Sequence, residues 1–137
     1  MIGLLIPIAC LLNPCSLITP AEASAVLGAP LGPTEPQAYR DGTVTCHYIA
    51  PADQSLRIQV HSGGAKAFQA YVSALEKAPQ GRPQRLHGLG DQAVSQAGQL
   101  VVLWRDHFVV LSIGLPLDEK DRLRLSLRLA RKALSRL

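Results

Sequence analysis

Two periodicities share the chain, one of two residues and one near 3.6, and their order sets out a mixed architecture. The clearest stretch runs from Ser55 to Ser62: Leu56, Ile58 and Val60 fall on one side of an extended strand, Arg57, Gln59 and His61 on the other. Thr43 to Ala50 precedes it, rich in β-branched and aromatic residues. Pro51-Ala52-Asp53-Gln54 supplies the turn, so the pair reads as a hairpin with one buried face. Three more strands are predicted at Gln92–Ala97, Gln99–Arg105 and Phe108–Leu115, punctuated by Gly98 and by Asp106-His107. The middle one holds Leu100-Val101-Val102-Leu103-Trp104, apolar on both faces, and is expected at the centre of the sheet.

The helical segments carry their own punctuation. Thr19-Pro20-Ala21-Glu22 is a capping box with proline at the first helical position; Ala23, Val26 and Leu27 follow, and Gly28 closes the helix as a left-handed cap. Gly63-Gly64 opens a second helix, Ala65 to Ala78, with Phe68, Val72 and Leu75 at helical spacing and Pro79 as its stop. Asp118 caps a third that runs to the C-terminus. Residues 29–42, with Pro30, Pro33 and Pro36, read as loop, and residues 79–86 as a polar linker. The sum is an α+β fold in one domain, residues 14–137: an antiparallel sheet of about five strands covered by three helices, in the order α-β-β-α-β-β-β-α.

The last helix is the most sharply patterned. Leu123, Leu127, Ala130, Leu134 and Leu137 form a stripe that Leu125, Leu129 and Ala133 widen, while Arg124, Arg128, Arg131 and Lys132 lie opposite, flanked by Arg122 and Arg136. Leu123 to Leu129 also alternates as a strand would, but an acidic start and a basic end suit the helix dipole. Such a helix covers a sheet with its basic face solvated. Its other use is to meet an anionic membrane surface or an acidic partner through Arg124, Arg128, Arg131 and Lys132.

Charge sharpens this reading. The net charge of +4 resides in the last twenty residues, with seven bases against three acids, and the remainder is neutral. Aromatic residues, 4% of the chain, do not interleave with the bases, so no nucleic-acid partner is expected. At 137 residues, 47% hydrophobic and with mean hydropathy +0.15, the chain is too apolar for a disordered tail and too charged for a multi-span membrane protein.

Three cysteines occur, Cys10, Cys15 and Cys46, none in a C-x-x-C pair. One bond with one cysteine left over is the simplest arithmetic for an exported chain. Cys15, Cys46 and His47 make a poor zinc set, because adjacent strand residues point to opposite faces, and no metal is expected. Met1 to Leu12 is uncharged and apolar; as a helix it would span about 18 Å, short of the ~30 Å hydrocarbon core. It matches the apolar stretch of a signal peptide without a preceding basic residue, so residues 1–13 read as a signal-like or truncated leader; Cys10 reads as a small hydrophobe inside it, the alternative being the cysteine of a lipoprotein cleavage site at Pro7-Ile8-Ala9-Cys10, where proline replaces the usual aliphatic residue.

No catalytic constellation emerges. His47 and His61 sit on neighbouring strands, but no G-x-S-x-G or H-E-x-x-H accompanies them, and Ser62 reads as a helix cap. Gly88-Leu89-Gly90 precedes a strand and lacks a third glycine, which makes it a tight turn with Asp91 as a turn residue rather than a phosphate loop. No catalytic residue and no cofactor is assigned, and the chain is not expected to be an enzyme.

An ordered set of motifs resembles a known family. Pro14-Cys15-Ser16-Leu17-Ile18-Thr19-Pro20-Ala21-Glu22-Ala23, then Val26-Leu27-Gly28, Cys46-His47-Tyr48 and Gly88-Leu89-Gly90-Asp91-Gln92-Ala93 are similar to a pattern of actinobacterial-type exported lipoproteins and secreted domains of unknown function. The likeness spans residues 14–115 and implies a PsbP-like fold and a Cys15–Cys46 disulfide. The family carries a longer leader and tether before its P-C, whereas here four residues separate Cys10 from Cys15. It brings no catalytic residues. Together these readings lead to an extracytoplasmic domain (periplasmic, cell-envelope or secreted) that binds an envelope ligand or protein. The alternative is a peripheral binder of membrane or acidic partners acting through the last helix.

Overall fold

The structure, a computed structural model, describes residues 13–31, 34–51, 54–79 and 81–137. The leader up to residue 12, with Cys10, and the turn residues Ala52 and Asp53 lie outside the described residues. Four helices and seven strands follow in the order α1 (Pro14–Leu17), α2 (Pro20–Leu27), β1 (Gln37–Ala38), β2 (Val44–Ile49), β3 (Ser55–Ser62), α3 (Gly64–Glu76), β4 (Gln84–Leu86), β5 (Gln92–Gln96), β6 (Gln99–Trp104), β7 (His107–Gly114) and α4 (Glu119–Leu134). All strands pair antiparallel in one sheet ordered β1-β2-β3-β7-β6-β5-β4.

The α+β class and the antiparallel sheet agree with the sequence reading, and its five strands and three helices are all present. The strand count and the element order do not agree, because three short elements lie outside the predicted ones: β1 and β4 fall in the segments expected as loop and linker, and α1 just before the first predicted helix. β1 and β4 are short edge pieces, exposed except for the half-buried Leu86, so no alternation announces them; pairing to Val44–Thr45 and to Ala93–Ser95 makes them strands. α1 is one turn, started by Asn13, whose side chain accepts from the Cys15 N–H at 2.9 Å. β6 is interior as expected, but β7 takes the middle of the sheet.

Local signals set the remaining boundaries. The Thr19 hydroxyl accepts from the Glu22 N–H at 3.2 Å while the Glu22 carboxylate accepts from the Thr19 N–H at 2.9 Å, and Gly28 ends α2 at φ +72°. Asp118 caps α4 by accepting from the Asp121 N–H at 2.8 Å. Ser62, expected to cap α3, does not. It is the last residue of β3, paired with His107, and Gly63 occupies the cap position without a side-chain bond.

The sheet has two unequal faces. On one, α1, α2 and α4 bury Cys46, Tyr48, Leu56, Ile58, Leu100, Val102 and Leu111. On the other, α3 presses Phe68 and Val72 onto Val94, Val101, Leu103, Phe108 and Val110. The buried centre of α4 is Ser126, Leu129, Ala130 and Ala133, rotated from the predicted leucine stripe; Leu123, Leu127 and Leu134 flank it half-buried. Small residues at the contact line let the helix axis approach the sheet, and leucines on the flanks fill the wedge on either side.

The covering layer is fastened at one corner. Cys15 and Cys46 form a disulfide with Cα atoms 5.2 Å apart across 31 residues, and the buried Tyr48 hydroxyl donates to the Ile18 carbonyl. Arg136, beyond the end of α4, grips both Glu22 oxygens at 2.6 and 2.9 Å and the Leu17 carbonyl at 2.6 Å, and Lys132 reaches Glu22 at 3.1 Å. The Arg136 guanidinium, foremost among these donors, holds the Glu22 carboxyl far below the usual range. Burial pushes the Tyr48 hydroxyl up to about 12, with the Glu22 charge adding to it.

Two outcomes follow. In the loop-entropy account the bond contributes about 3–4 kcal/mol, so Cys15→Ser is expected to lower the melting temperature by about 10–15 °C, and reductant to do the same to the unaltered chain. An unchanged melt would show the bond to be idle. The second concerns acid. A carboxyl whose pKa is depressed on folding stabilises above its unfolded value, and that contribution fades as pH falls towards the folded one. Glu22→Gln is therefore expected to melt lower than the parent at pH 7, with the two curves converging below about pH 4. A pH-independent gap would contradict this.

Candidate ligand-binding face

Among the described residues, helices cover only half of the second face of the sheet. α3 lies against β3, β6 and β7, over the end of the sheet where Phe108, Leu103 and Val101 are. Beyond it the alternation of four strands lays out a polar row. His47 pairs with Arg57, Arg57 with Ser112 and Ser112 with Gln99, which places all four side chains on the same face, in line across β2, β3, β7 and β6. Thr45 and Gln59 form the next row. Ile49, two residues from His47 and on its face, is 61% exposed.

These residues floor a depression of about 330 Å³, lined by His47, Ser55, Arg57, Gln99 and Ser112 and walled by the β5–β6 turn at Ala97-Gly98. That turn has positive φ at both residues, +46° and +85°, the two-residue hairpin geometry that suits a twisted sheet. A Cβ at position 98 would also come 2.8 Å from an Arg122 nitrogen, so a larger residue there would displace the Arg122 side chain.

The chemistry of the floor is dominated by donors. The Gln99 carbonyl oxygen is occupied by the Tyr71 hydroxyl at 3.2 Å, which leaves its amide N–H groups. The Ser112 hydroxyl is buried and has no hydrogen-bond partner among protein groups. Among the described residues the ion pairs are Arg124–Asp121, Lys132–Glu22 and Arg136–Glu22, so Arg57 carries its charge unpaired. No described residue lining the depression is acidic.

The two strand histidines do not share a site. His61 lies four residues along β3 from Arg57, about 13 Å, at the covered end. Its ring stacks on Phe108 at 4.4 Å, its Nδ1 is 3.2 Å from the Thr43 hydroxyl, and burial lowers its pKa against the opposing charge of Asp41. Asp91 is a turn residue, accepting from the Arg105 N–H at 2.8 Å. Gly90, at φ +58°, admits no side chain, since a Cβ would meet the Leu103 carbonyl at 2.5 Å. A second concavity of about 570 Å³ opens where α4 begins, lined by Gln84, Ser95, Lys120, Leu123 and Ser126 among others.

The residues expected for a membrane or partner contact are on the solvent side of α4. Arg124 and Lys132 are engaged with Asp121 and Glu22, whereas Arg128 and Arg131 are exposed and outside those pairs. The leucines of the helix pack on the core. Sequence reasoning placed Arg57 and Gln59 on a polar face but missed Ser112 and Gln99. The alternation was there to read; what was lacking was the β3–β7 pairing, 45 or more residues apart in sequence, that joins them into a row.

No family model, no curated protein and no solved structure matches the chain. With its apolar side spent on the core, α4 can offer a membrane only charge. Any flotation is expected to require vesicles rich in anionic lipid and to be lost when Arg128 and Arg131 are changed to Gln; flotation with uncharged vesicles would contradict the packing of α4.

Proposed function

We propose that this chain is an extracytoplasmic, non-enzymatic module that binds a ligand or protein of the cell envelope through the open half of its sheet. The observation that carries the reading is the polar row His47, Arg57, Ser112 and Gln99, with His47 and Arg57 exposed and Ser112 and Gln99 half-buried, beside an apolar face that α3 closes. An uncovered face is ordinary for an antiparallel sheet. A buried serine hydroxyl without a protein partner, next to an unpaired arginine in a concavity, favours a ligand instead. The Cys15–Cys46 bond suits an oxidising compartment. The second reading, a peripheral binder of anionic membrane or acidic partners, is supported by the exposed Arg128 and Arg131 on α4.

Amide chemical shifts of the labelled chain, recorded against a set of small neutral and charged fragments, separate these readings. Responses are expected to gather at Thr45–His47, Ser55–Gln59, Gln99 and Ser112. A cluster at Ser95–Ala97 with Lys120–Ser126 would move the site to the cleft under α4, and no cluster at all would remove the binding-module reading. Intact mass of the protein from its host, before and after reduction, is expected to show one disulfide; three free thiols would refute export.

A further inference from the structure

We propose that the row His47–Arg57–Ser112–Gln99 is a carboxylate-binding site, an inference that rests on the open sheet face being the binding surface. Four strands bring the side chains into line at the usual interstrand spacing of about 4.8 Å, so Arg57, Ser112 and Gln99 can converge on one small group. A carboxylate offers about four lone-pair sites and binds a guanidinium through both oxygens. Arg57 supplies two parallel N–H donors, Gln99 an N–H of the amide whose oxygen Tyr71 already occupies, and Ser112 a hydroxyl without a protein partner. His47 closes the outer end of the row with a further ring nitrogen.

The charge balance also selects the ligand. Arg57, outside the ion pairs and with no acidic neighbour among the described lining residues, suits a negatively charged group. Beside the row, Ile49 stands 61% exposed on the same face and gives an apolar rest for whatever carries the carboxylate. The ligand class is thus a carboxylate on an apolar or mixed body. The wall at Ala97-Gly98 limits its approach from the β5–β6 side.

The test uses 4-phenylbutyrate and its neutral amide as probes, titrated into the labelled full chain at matched ionic strength, with Arg57→Gln and Arg128→Gln alongside. The acid is expected to saturate shifts of the Arg57 side-chain N–H and the Gln99 amide, and the amide probe to bind at least about tenfold more weakly. Arg57, being exposed and outside the ion pairs, can be changed without unfolding the chain, and Arg57→Gln is expected to abolish the preference while Arg128→Gln keeps it. Equal binding of acid and amide at this face overturns the carboxylate assignment and leaves the open face as a binding surface. Tighter competition by inorganic phosphate overturns it as well. No response there from either probe overturns both the assignment and the face.

Discussion

The Cys15–Cys46 bond is the constraint on which the arrangement of this protein depends. α1 and α2 together hold only twelve helical residues, too few to be stable alone, and they reach the sheet through a proline-rich segment that gives them little local support. The bond places Leu17, Ile18, Ala23 and Leu27 against β2 and β3. Once they are there, the Ile18 carbonyl meets the Tyr48 hydroxyl and Glu22 comes within reach of Arg136 and Lys132. Each of these contacts would be weak between mobile partners. Held at one corner by a covalent link, they fix both ends of the covering layer, because Arg136 lies just past the last turn of α4.

That layer explains the asymmetry of the sheet. Three helices satisfy the apolar residues of the first face, and one satisfies those of the second at the β5–β7 end. Among the described residues no helix remains for the outer half of the second face, and apart from Ile49 the side chains there are correspondingly polar: Thr45, His47, Arg57, Gln59 and Ser112. The polar row is therefore a consequence of how the helices are shared between the faces, and a binding surface placed there leaves the core untouched. Polar groups on a rigid central part of a sheet are also held in register far better than groups on a loop.

Much of this was legible in the residues. Thr19-Pro20-Ala21-Glu22 and Asp118 marked helix starts that the structure reproduces bond for bond, and the alternation of Ser55 to Ser62 assigned Leu56, Ile58 and Val60 to the core. The Cys15–Cys46 pairing came from a resemblance, and the structure has it. What stayed hidden has two physical origins. β1 and β4 owe their strand geometry to a neighbour rather than to their own side chains, and the centre of α4 is set by Ser126, Ala130 and Ala133, whose small size matters only against a facing sheet. The candidate site is the same kind of object. His47, Arg57, Ser112 and Gln99 come from four strands, and no local pattern links them before β3 and β7 pair.

The covering layer as a unit tied down by one bond is the central claim, and hydrogen exchange of the oxidised and reduced chain tests it most directly. Reduction is predicted to release protection in residues 15–27 and in the last turns of α4, with β6 and β7 remaining protected. The contradicting result is either unchanged exchange at residues 15–27 or an even loss of protection across the whole sheet.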